Sequence, residues 1–386
     1  MRVAIPVTKH YFTWLGGLNY IRTLVSAVVE HGTGAIEPVL VVPKRRPAGG
    51  LDAYPQGLET IETALFDAYR PAWTVRTAIT RATGRDARLE RLLRRHDIDL
   101  LSHHAPLGAN AAIPSLSWVP DVQHRRLPEL FDARELRARD RWLRLMDQHS
   151  AGIVISSDAG GRDLAGALAD ADARVHVLRF VTDPPAIPDP AGVRAVLDRL
   201  ELDRYLYLPN QLWVHKNHRV VIEALGRLRE RGRRLSVVAT GDAVDPRNPA
   251  LAEELTALAA KLGVDGDFRM LGRVSYSDVG ALMAGAVAVV NPSLFEGWST
   301  TVEEARALGK QTVLSDIDVH REQNPAGALF ADPHDPSAFA DALEKAWDQH
   351  DPALEARRRE SAQDEHPHRR RAFAHRYEEI CSKVTW

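Results

Sequence analysis

The stretch AVAVVNPSLFEGWSTTVEEARALGKQTVLSD, residues 286–316, runs from an apolar segment through a Glu-Gly-Trp turn into a short helical pattern that stops at a glycine and feeds a second apolar segment. Strand, loop, helix and strand in this order form a crossover unit, and crossovers build parallel sheets. The helix is expected to open near Thr300 or Thr301, with Thr300 and Glu303 as a T-x-x-E capping box. Its free N–H groups and the positive end of its dipole would then face the turn Glu296, Gly297, Trp298, Ser299 and favour an anion there. Glu296 before the helix and Glu304 within it are poor phosphate ligands but good acceptors for hydroxyls. A phosphate at the helix start with hydroxyls on either side describes a nucleotide sugar. On spacing alone, acidic residues that simply favour the first helical turn fit the pattern as well.

The alternation extends in both directions. Toward the N terminus, strands are expected at 205–209, 235–241 and 268–272, with helices at 217–231, 249–263 and 277–285. Before them, VTDPPAIPDPAG (181–192) holds four prolines, which neither a helix interior nor a central strand accepts, so it reads as a linker. The first part repeats the theme with strands at 2–7, near 98, at 115–119, 152–156 and 174–180 and a helix at 133–148. The expected organisation is an α/β domain over 1–180, the linker at 181–192 and a second α/β domain over 193–365, each a doubly wound parallel sheet. Such sheets bind ligands beyond the carboxyl ends of their strands, so two of them facing each other would make one cleft.

Composition supports a soluble enzyme. The 386 residues are 45 % hydrophobic and 26 % charged, with a formal net charge of -2, which gives no electrostatic case for nucleic acid. One cysteine, Cys381, rules out an intramolecular disulfide and a multi-cysteine zinc site. The opening MRVAIPVTKHYF lacks a long apolar core and cleavage site, and no apolar run approaches the roughly 18 residues of a membrane span. The chain reads as cytoplasmic.

Two further clusters bear on the ligand. Of the 50 basic residues only seven are lysines, and Lys216 stands in YLPNQLWVHKNHRVVIEAL, in the loop between a strand and a helix, a usual place for a phosphate ligand. A solvated loop lysine is the plain alternative. In WLGGLNY, Gly16 and Gly17 follow the first strand and would let backbone approach a ligand, although a tight turn explains them equally and GxGxxG is absent.

Together with LGRVSYSDVGALMAGAVAVVNPSLFEGWSTTVEEARALGK and SDIDVHREQ, these clusters resemble the retaining GT-B glycosyltransferases, the group containing glycogen synthases and bacterial mannosyltransferases. The resemblance is strongest over 205–345, and SWVPDVQHRRLPELF (117–131) is similar to a motif of a bacterial subgroup. It implies two Rossmann-like domains facing a central cleft, with a C-terminal helix over 366–386 crossing back to pack on the first. By position, Glu304 would bond the ribose hydroxyls and Glu296 the donor sugar. Lys216 would neutralise the diphosphate, helped by backbone N–H groups around Thr300 and Thr301, and Gly16 and Gly17 would approach it from the other domain. Gln211 stands where many members carry an arginine, which leaves the phosphate charge less fully matched. The implied reaction is glycosyl transfer with retention from a UDP-, GDP- or dTDP-sugar to a glycan, lipid-linked or small-molecule hydroxyl acceptor. No other cofactor and no metal is implied, since fixed cations and N–H groups can stabilise the leaving diphosphate. Asp121 and His124 would line the reaction centre. Glu296 and Lys216 complete the expected catalytic set.

Other features carry less. D-x-D matches begin at Asp97, Asp170, Asp265 and Asp316, a number that reflects composition rather than a metal site. His103 and His104 close a strand without zinc-like spacing. His320 and Glu322 are expected in a loop after QTVLSD. In RDARLERLLRR (85–95), Leu89, Leu92 and Leu93 suit a packed helix with a solvated arginine face, with peripheral docking on an anionic membrane as the alternative. In the terminal helix Ala372, Phe373, Tyr377 and Ile380 have the spacing of a buried face. A sugar-nucleotide epimerase of the same architecture is the runner-up, ahead of a two-lobed ligand-binding protein.

Overall fold

The computed structural model describes residues 1–8, 15–47, 49–168 and 174–385, so Trp14, Asp170 and Trp386 lie outside the described residues. The chain divides into two compact units, Met1–Val181 with Pro367–Trp386, and Thr182–His366.

The first unit is built on β1 (Arg2–Pro6), β2 (Glu37–Pro43), β3 (Thr60–Thr63), β4 (Leu100–Ser102), β5 (Ser115–Trp118), β6 (Gly152–Ile155) and β7 (Val175–Val177). They form one parallel sheet in the order β3-β2-β1-β4-β5-β6-β7. Two of these strands exceed the five expected. β2, EPVLVVP, is buried at every position but the first, so it carries no alternation to mark it as a strand. β3 has only four residues.

The second unit holds β8 (Leu206–Leu208), β9 (Val237–Ala239), β10 (Phe268–Met270), β11 (Val289–Asn291), β12 (Thr312–Ser315) and β13 (Leu329–Ala331). Their order is β10-β9-β8-β11-β12-β13, all parallel. β13 is a sixth strand, too short to show a pattern in sequence. One face of this sheet is closed by the helices His218–Glu230 and Pro336–Asp348, whose Val221, Leu225, Phe339 and Leu343 pack on Val237, Val290 and Val313. Truncating one of these large side chains to Ala would cost about 2–5 kcal/mol.

The proline-rich stretch is only partly a linker. Residues 181–189 have no regular secondary structure, but a helix, Pro190–Arg199, begins within the stretch. Pro190 takes a first-turn position, where its missing N–H is not needed, and Asp189 caps the helix by accepting from Gly192 N at 2.7 Å.

The terminal helix is longer than expected, Pro352–Thr385, and the division between the units falls inside it at Pro367. Its part in the first unit buries Phe373, Ala374, Tyr377, Ile380 and Cys381, while Ala372 is exposed, one position off the expected face. Tyr377 donates to Ser102 Oγ at 2.8 Å, and the Glu378 carboxylate accepts from Thr33 N at 2.9 and 3.0 Å. His103 is structural: it is buried between Tyr20 (2.7 Å) and Ser102 (2.8 Å), and burial pushes its pKa down to about 3, so it is neutral. In the helix Ala87–Arg95, Leu89 and Leu93 are fully buried. Among the described residues no helix is long and apolar enough to cross a membrane.

Candidate active site

In the second unit the strand order reverses between β8 and β11, which pair in parallel through Val289 and Tyr207. Loops leaving the carboxyl ends of two such strands part in opposite directions and open a crevice. The loop after β8 carries Gln211 and Lys216, and the loop after β11 carries Glu296.

Local chemistry ties the two loops. Lys216 ends a 3₁₀ turn, Val214–Lys216, and Asn217 follows in the left-handed conformation (φ 55°, ψ 41°), which asparagine tolerates. The Asn217 amide donates to the carbonyls of Pro292 (3.1 Å) and Pro333 (2.8 Å), and Leu294 N donates to His215 O at 2.8 Å. Lys216 Nζ therefore reaches Glu296 Oε1 at 2.7 Å. The same oxygen accepts from Ser293 Oγ at 2.7 Å and from Asn291 Nδ2 at 3.4 Å. Glu296 Oε2 accepts no hydrogen bond among the described residues.

Burial opposes the charge on Glu296, but the Lys216 ammonium, its hydrogen bond and the neighbouring His320 and His215 together outweigh it and hold the carboxyl at about 2. His320 is fully buried nearby; burial pushes it down to about 4, Nδ1 is 3.0 Å from Ser315 Oγ, and Nε2 has no hydrogen-bond partner among the described residues. His320 sits in a short helix, Asp318–Gln323, rather than in the expected loop.

The helix Thr300–Ala307 begins where the sequence predicts, but its cap differs. Ser299 Oγ accepts from Val302 N at 3.3 Å and is itself held by Asn291 Nδ2 at 2.8 Å. Thr300 is thus the first helical residue, not the cap, and Glu303 is buried and bonded to Gln323 Nε2 at 3.1 Å instead of reaching back. Thr301 Oγ1 donates to Asn210 Oδ1 at 3.2 Å, and Asn210 Nδ2 donates to Asn291 Oδ1 at 3.2 Å, closing a polar net across the strand ends. Gly241, after β9, abuts this net at φ 143°, and a Cβ there would lie 2.5 Å from the Asn210 carbonyl oxygen.

One turn along the helix, Glu304 is half-buried and accepts from Tyr276 Oη at 3.2 Å. Burial pushes its carboxyl up to about 7, against the pull of that hydrogen bond. The two glutamates of the motif are held in opposite electrostatic states, Glu296 firmly ionised and Glu304 poised near neutrality.

Lys216, Glu296, Ser299 and Thr301 are thus joined in one bonded set, with Gly297, Trp298 and Thr300 between its members and Glu304 on the next turn. Gln211 is exposed at the start of its loop. Sequence reasoning missed Asn210, Asn291, Ser293 and Tyr276; an Asn-Pro-Ser run at a strand end was the signal available for two of them. The remaining expected residues lie in the first unit. Gly16 and Gly17 stand in the first turn of the helix Leu15–His31 rather than in a loop. Asp121 accepts from Gln123 N at 2.9 Å. His124 is in a short helix, Gln123–Arg126, not a loop; it is buried with Nε2 3.4 Å from Asp140 Oδ1, and burial together with Arg139 lowers its pKa.

Residues 194–365 match the family described as Glycosyl transferases group 1. The second unit is a group 1 glycosyl transferase domain. Two curated relatives share parts of the chain. The O-antigen chain mannosyltransferase RfbU of Salmonella typhimurium is 30 % identical over 93 residues, 24 % of this chain and 26 % of that protein. The D-inositol 3-phosphate glycosyltransferase of Salinispora arenicola is 28 % identical over 198 residues, 46 % of this chain and 42 % of that protein. The chain therefore spans less than half the length of either. Solved structures cover nearly all of it: Anabaena Alr3699/HepE in complex with UDP and glucose (TM-score 0.69, 16 % identity, 99 % of both chains), and the catalytic domain of Starch Synthase IV from Arabidopsis thaliana bound to ADP and acarbose (0.68, 16 %, 100 % and 99 %). WaaG, a glycosyltransferase involved in lipopolysaccharide biosynthesis, aligns at TM-score 0.59 and 18 % identity over 94 % of both chains. At these identities the likeness is one of fold, and the fold is GT-B.

Proposed function

We propose that the protein is a retaining glycosyltransferase that moves a sugar from a nucleotide-sugar donor to a hydroxyl acceptor without a metal ion. The observation that carries this reading is the Lys216–Glu296 pair at the β8/β11 reversal, beside a helix start whose first N–H groups, of Thr300 and Thr301, have no partner among the described residues. A cation and free N–H groups suit a diphosphate, and the open Oε2 of Glu296 suits a sugar hydroxyl. Glu304, on the next turn, is proposed to accept from the ribose hydroxyls.

In this scheme charge develops on the departing diphosphate, and Lys216 with the Thr300 and Thr301 N–H groups stabilises it where it forms. Gln211 supplies no charge to this clamp, so Lys216 bears more of the load. Glu296, kept ionised by its neighbours, orients the donor sugar and does not act as a proton donor. Asp121 and His124 are retained as acceptor-side residues, and Gly16 and Gly17 as phosphate contacts, on the family resemblance of their motifs. Three solved structures of one protein, Anabaena Alr3699/HepE, hold UDP with glucose, UDP or UDP-glucose, which makes a UDP-sugar the first donor to try. The names of the relatives point to a glycan or glycolipid acceptor of bacterial polysaccharide synthesis.

The test is a thermal-shift screen against UDP-, GDP-, ADP- and dTDP-sugars, in which a ligand at 100 times its Kd adds about 2.7 kcal/mol of stability. NMR of the product in excess EDTA then reads anomeric configuration and metal dependence together. Retained configuration with undiminished turnover is the expected result. Conversion of the donor alone into its epimer would overturn transfer in favour of epimerisation, for which the relatives give no support.

A further inference from the structure

The candidate active site lies at the carboxyl ends of β8 and β11. At the amino ends of β12 and β13 the second unit holds another cavity, of about 360 Å³, within the range of small-molecule sites. Gly309 and Lys310 line it just before β12, and Asn324, Pro325 and Ala326 just before β13. The helix Pro352–Thr385 supplies the facing wall through Arg357, Arg358 and Ser361.

These walls are fixed by close packing and by one buried cation. Gly309 is at φ 65°, and a Cβ there would lie 2.5 Å from Arg358 C and Arg359 N, so only glycine lets the helix backbone come this near. Lys310 is buried and donates Nζ to Glu355 Oε1 at 2.8 Å and to the carbonyls of Ala284 (3.1 Å) and Ala286, which pins the first turn of the helix. The Arg358 side chain is half-buried against Gly327, where a Cβ would lie 2.6 Å from Nη2. A ligand entering this cavity would find its walls already in place.

Charge identifies the ligand. The Lys310 ammonium is matched by Glu355, and Arg306, also in the lining, is matched by Glu365 at 2.9 Å. Arg357 and Arg358 are in no ion pair among the described residues, and the side-chain bond of Arg358 is a 3.4 Å contact with the neutral Gln311 Oε1. Glu360 and Asp364, acids of the same helix, do not line the cavity. Nor do carbonyls of the helix Thr300–Ala307, which ends here, oppose an anion: Glu304 O, Ala305 O and Arg306 O already accept from Leu308 N (3.1 Å), Lys310 N (2.9 Å) and Gly309 N (3.0 Å). A guanidinium bonds phosphate oxygens in pairs, and a phosphate monoester carries about -1.5 to -2 at neutral pH, which answers two unmatched arginines. Ser361, one turn on from Arg357, adds a hydroxyl donor, and the volume leaves room for a small organic group. We propose that this cavity binds a small phosphate monoester, with Arg357 and Arg358 on the phosphate and Ser361 donating to it.

This site goes beyond the transferase reading and uses none of its residues. The test is calorimetric titration of the full chain with glycerol 3-phosphate, inorganic phosphate and succinate as probes. Glycerol 3-phosphate is expected to bind, inorganic phosphate to bind more weakly, and succinate not to bind measurably. Arg357→Ala and Arg358→Ala should each lower the affinity for glycerol 3-phosphate about tenfold. Ser361→Asp, which sets a carboxylate between the arginines, should abolish it. All three variants should bind UDP and unfold thermally as the unaltered protein does; Arg357 and Ser361 are exposed, so their replacement leaves packing intact. Absence of glycerol 3-phosphate binding, or succinate or inorganic phosphate bound as tightly, would overturn the proposal. So would binding that UDP displaces and that Arg357→Ala and Ser361→Asp leave undiminished, since the phosphate would then lie in the donor site.

Discussion

Lys216 Nζ lies 2.7 Å from Glu296 Oε1 although the residues are 80 apart in sequence, and both are largely buried. Removing one member of such a pair strands the other in a poor solvent. Lys216→Met is expected to destabilise the protein by about 3–5 kcal/mol in chemical denaturation, and Glu296→Gln by less, because the amide still bonds Ser293. The double variant should recover part of the loss. Strictly additive losses would show that the two side chains do not stabilise each other.

The same pair sets an acid limit. Glu296 titrates at about 2 when folded, against an ordinary value of 4.5, so its contribution is complete above pH 4.5 and disappears as pH falls toward 2. Glu296→Gln should flatten the stability profile in that window and leave it unchanged in shape near neutrality. An identical acid profile for the two proteins would contradict the assigned ionisation.

Glu304 behaves in the opposite sense. With its carboxyl near 7, it is protonated below neutrality and becomes a full acceptor for two hydroxyls only above it. Affinity for a nucleoside diphosphate, measured by calorimetry, should rise between pH 6 and about pH 8. Glu304→Gln should remove the rise, and Glu304→Ala should weaken binding by about 1–3 kcal/mol. Tyr276→Phe, which removes the hydrogen bond holding the carboxyl down, should move the midpoint to higher pH. A flat profile in the unaltered protein would take Glu304 out of the site.

The helix cap gives a fourth outcome. Ser299→Ala should cost about 1 kcal/mol of stability, since Val302 N loses its acceptor, whereas Thr300→Ala should cost a few tenths at most. The reverse ranking in thermal unfolding would restore the capping box that the sequence suggested.

What the sequence revealed and what it hid divide along physical lines. The helix Thr300–Ala307 and the strands on either side were legible because apolar periodicity and a glycine stop are local signals. β2 was not, because a strand buried on both faces has no alternation, nor was β13, because three residues hold no pattern. Lys216 and Glu296 could each be singled out, but the bond between them depends on the β8/β11 reversal, a property of strand order that no short stretch encodes. Asn210 and Asn291 escaped for the same reason: each bonds the other only after both strands are in place. The capping error came from two adjacent hydroxyl residues, Ser299 and Thr300, whose choice is made by Asn291 from a neighbouring strand end.

The first unit is discontinuous in the chain: Phe373, Tyr377 and Ile380, which belong to its core, come after the whole of the second unit. A ribosome therefore releases residues 182–366 with everything they need to fold, while the earlier unit waits with the ground around Ser102 and Thr33 unfilled. The order of synthesis and the order of completion are opposite. During that interval the nascent N-terminal half is the part left with apolar ground uncovered, and a stalled or nicked chain ending before Pro367 leaves a complete second unit attached to an incomplete first.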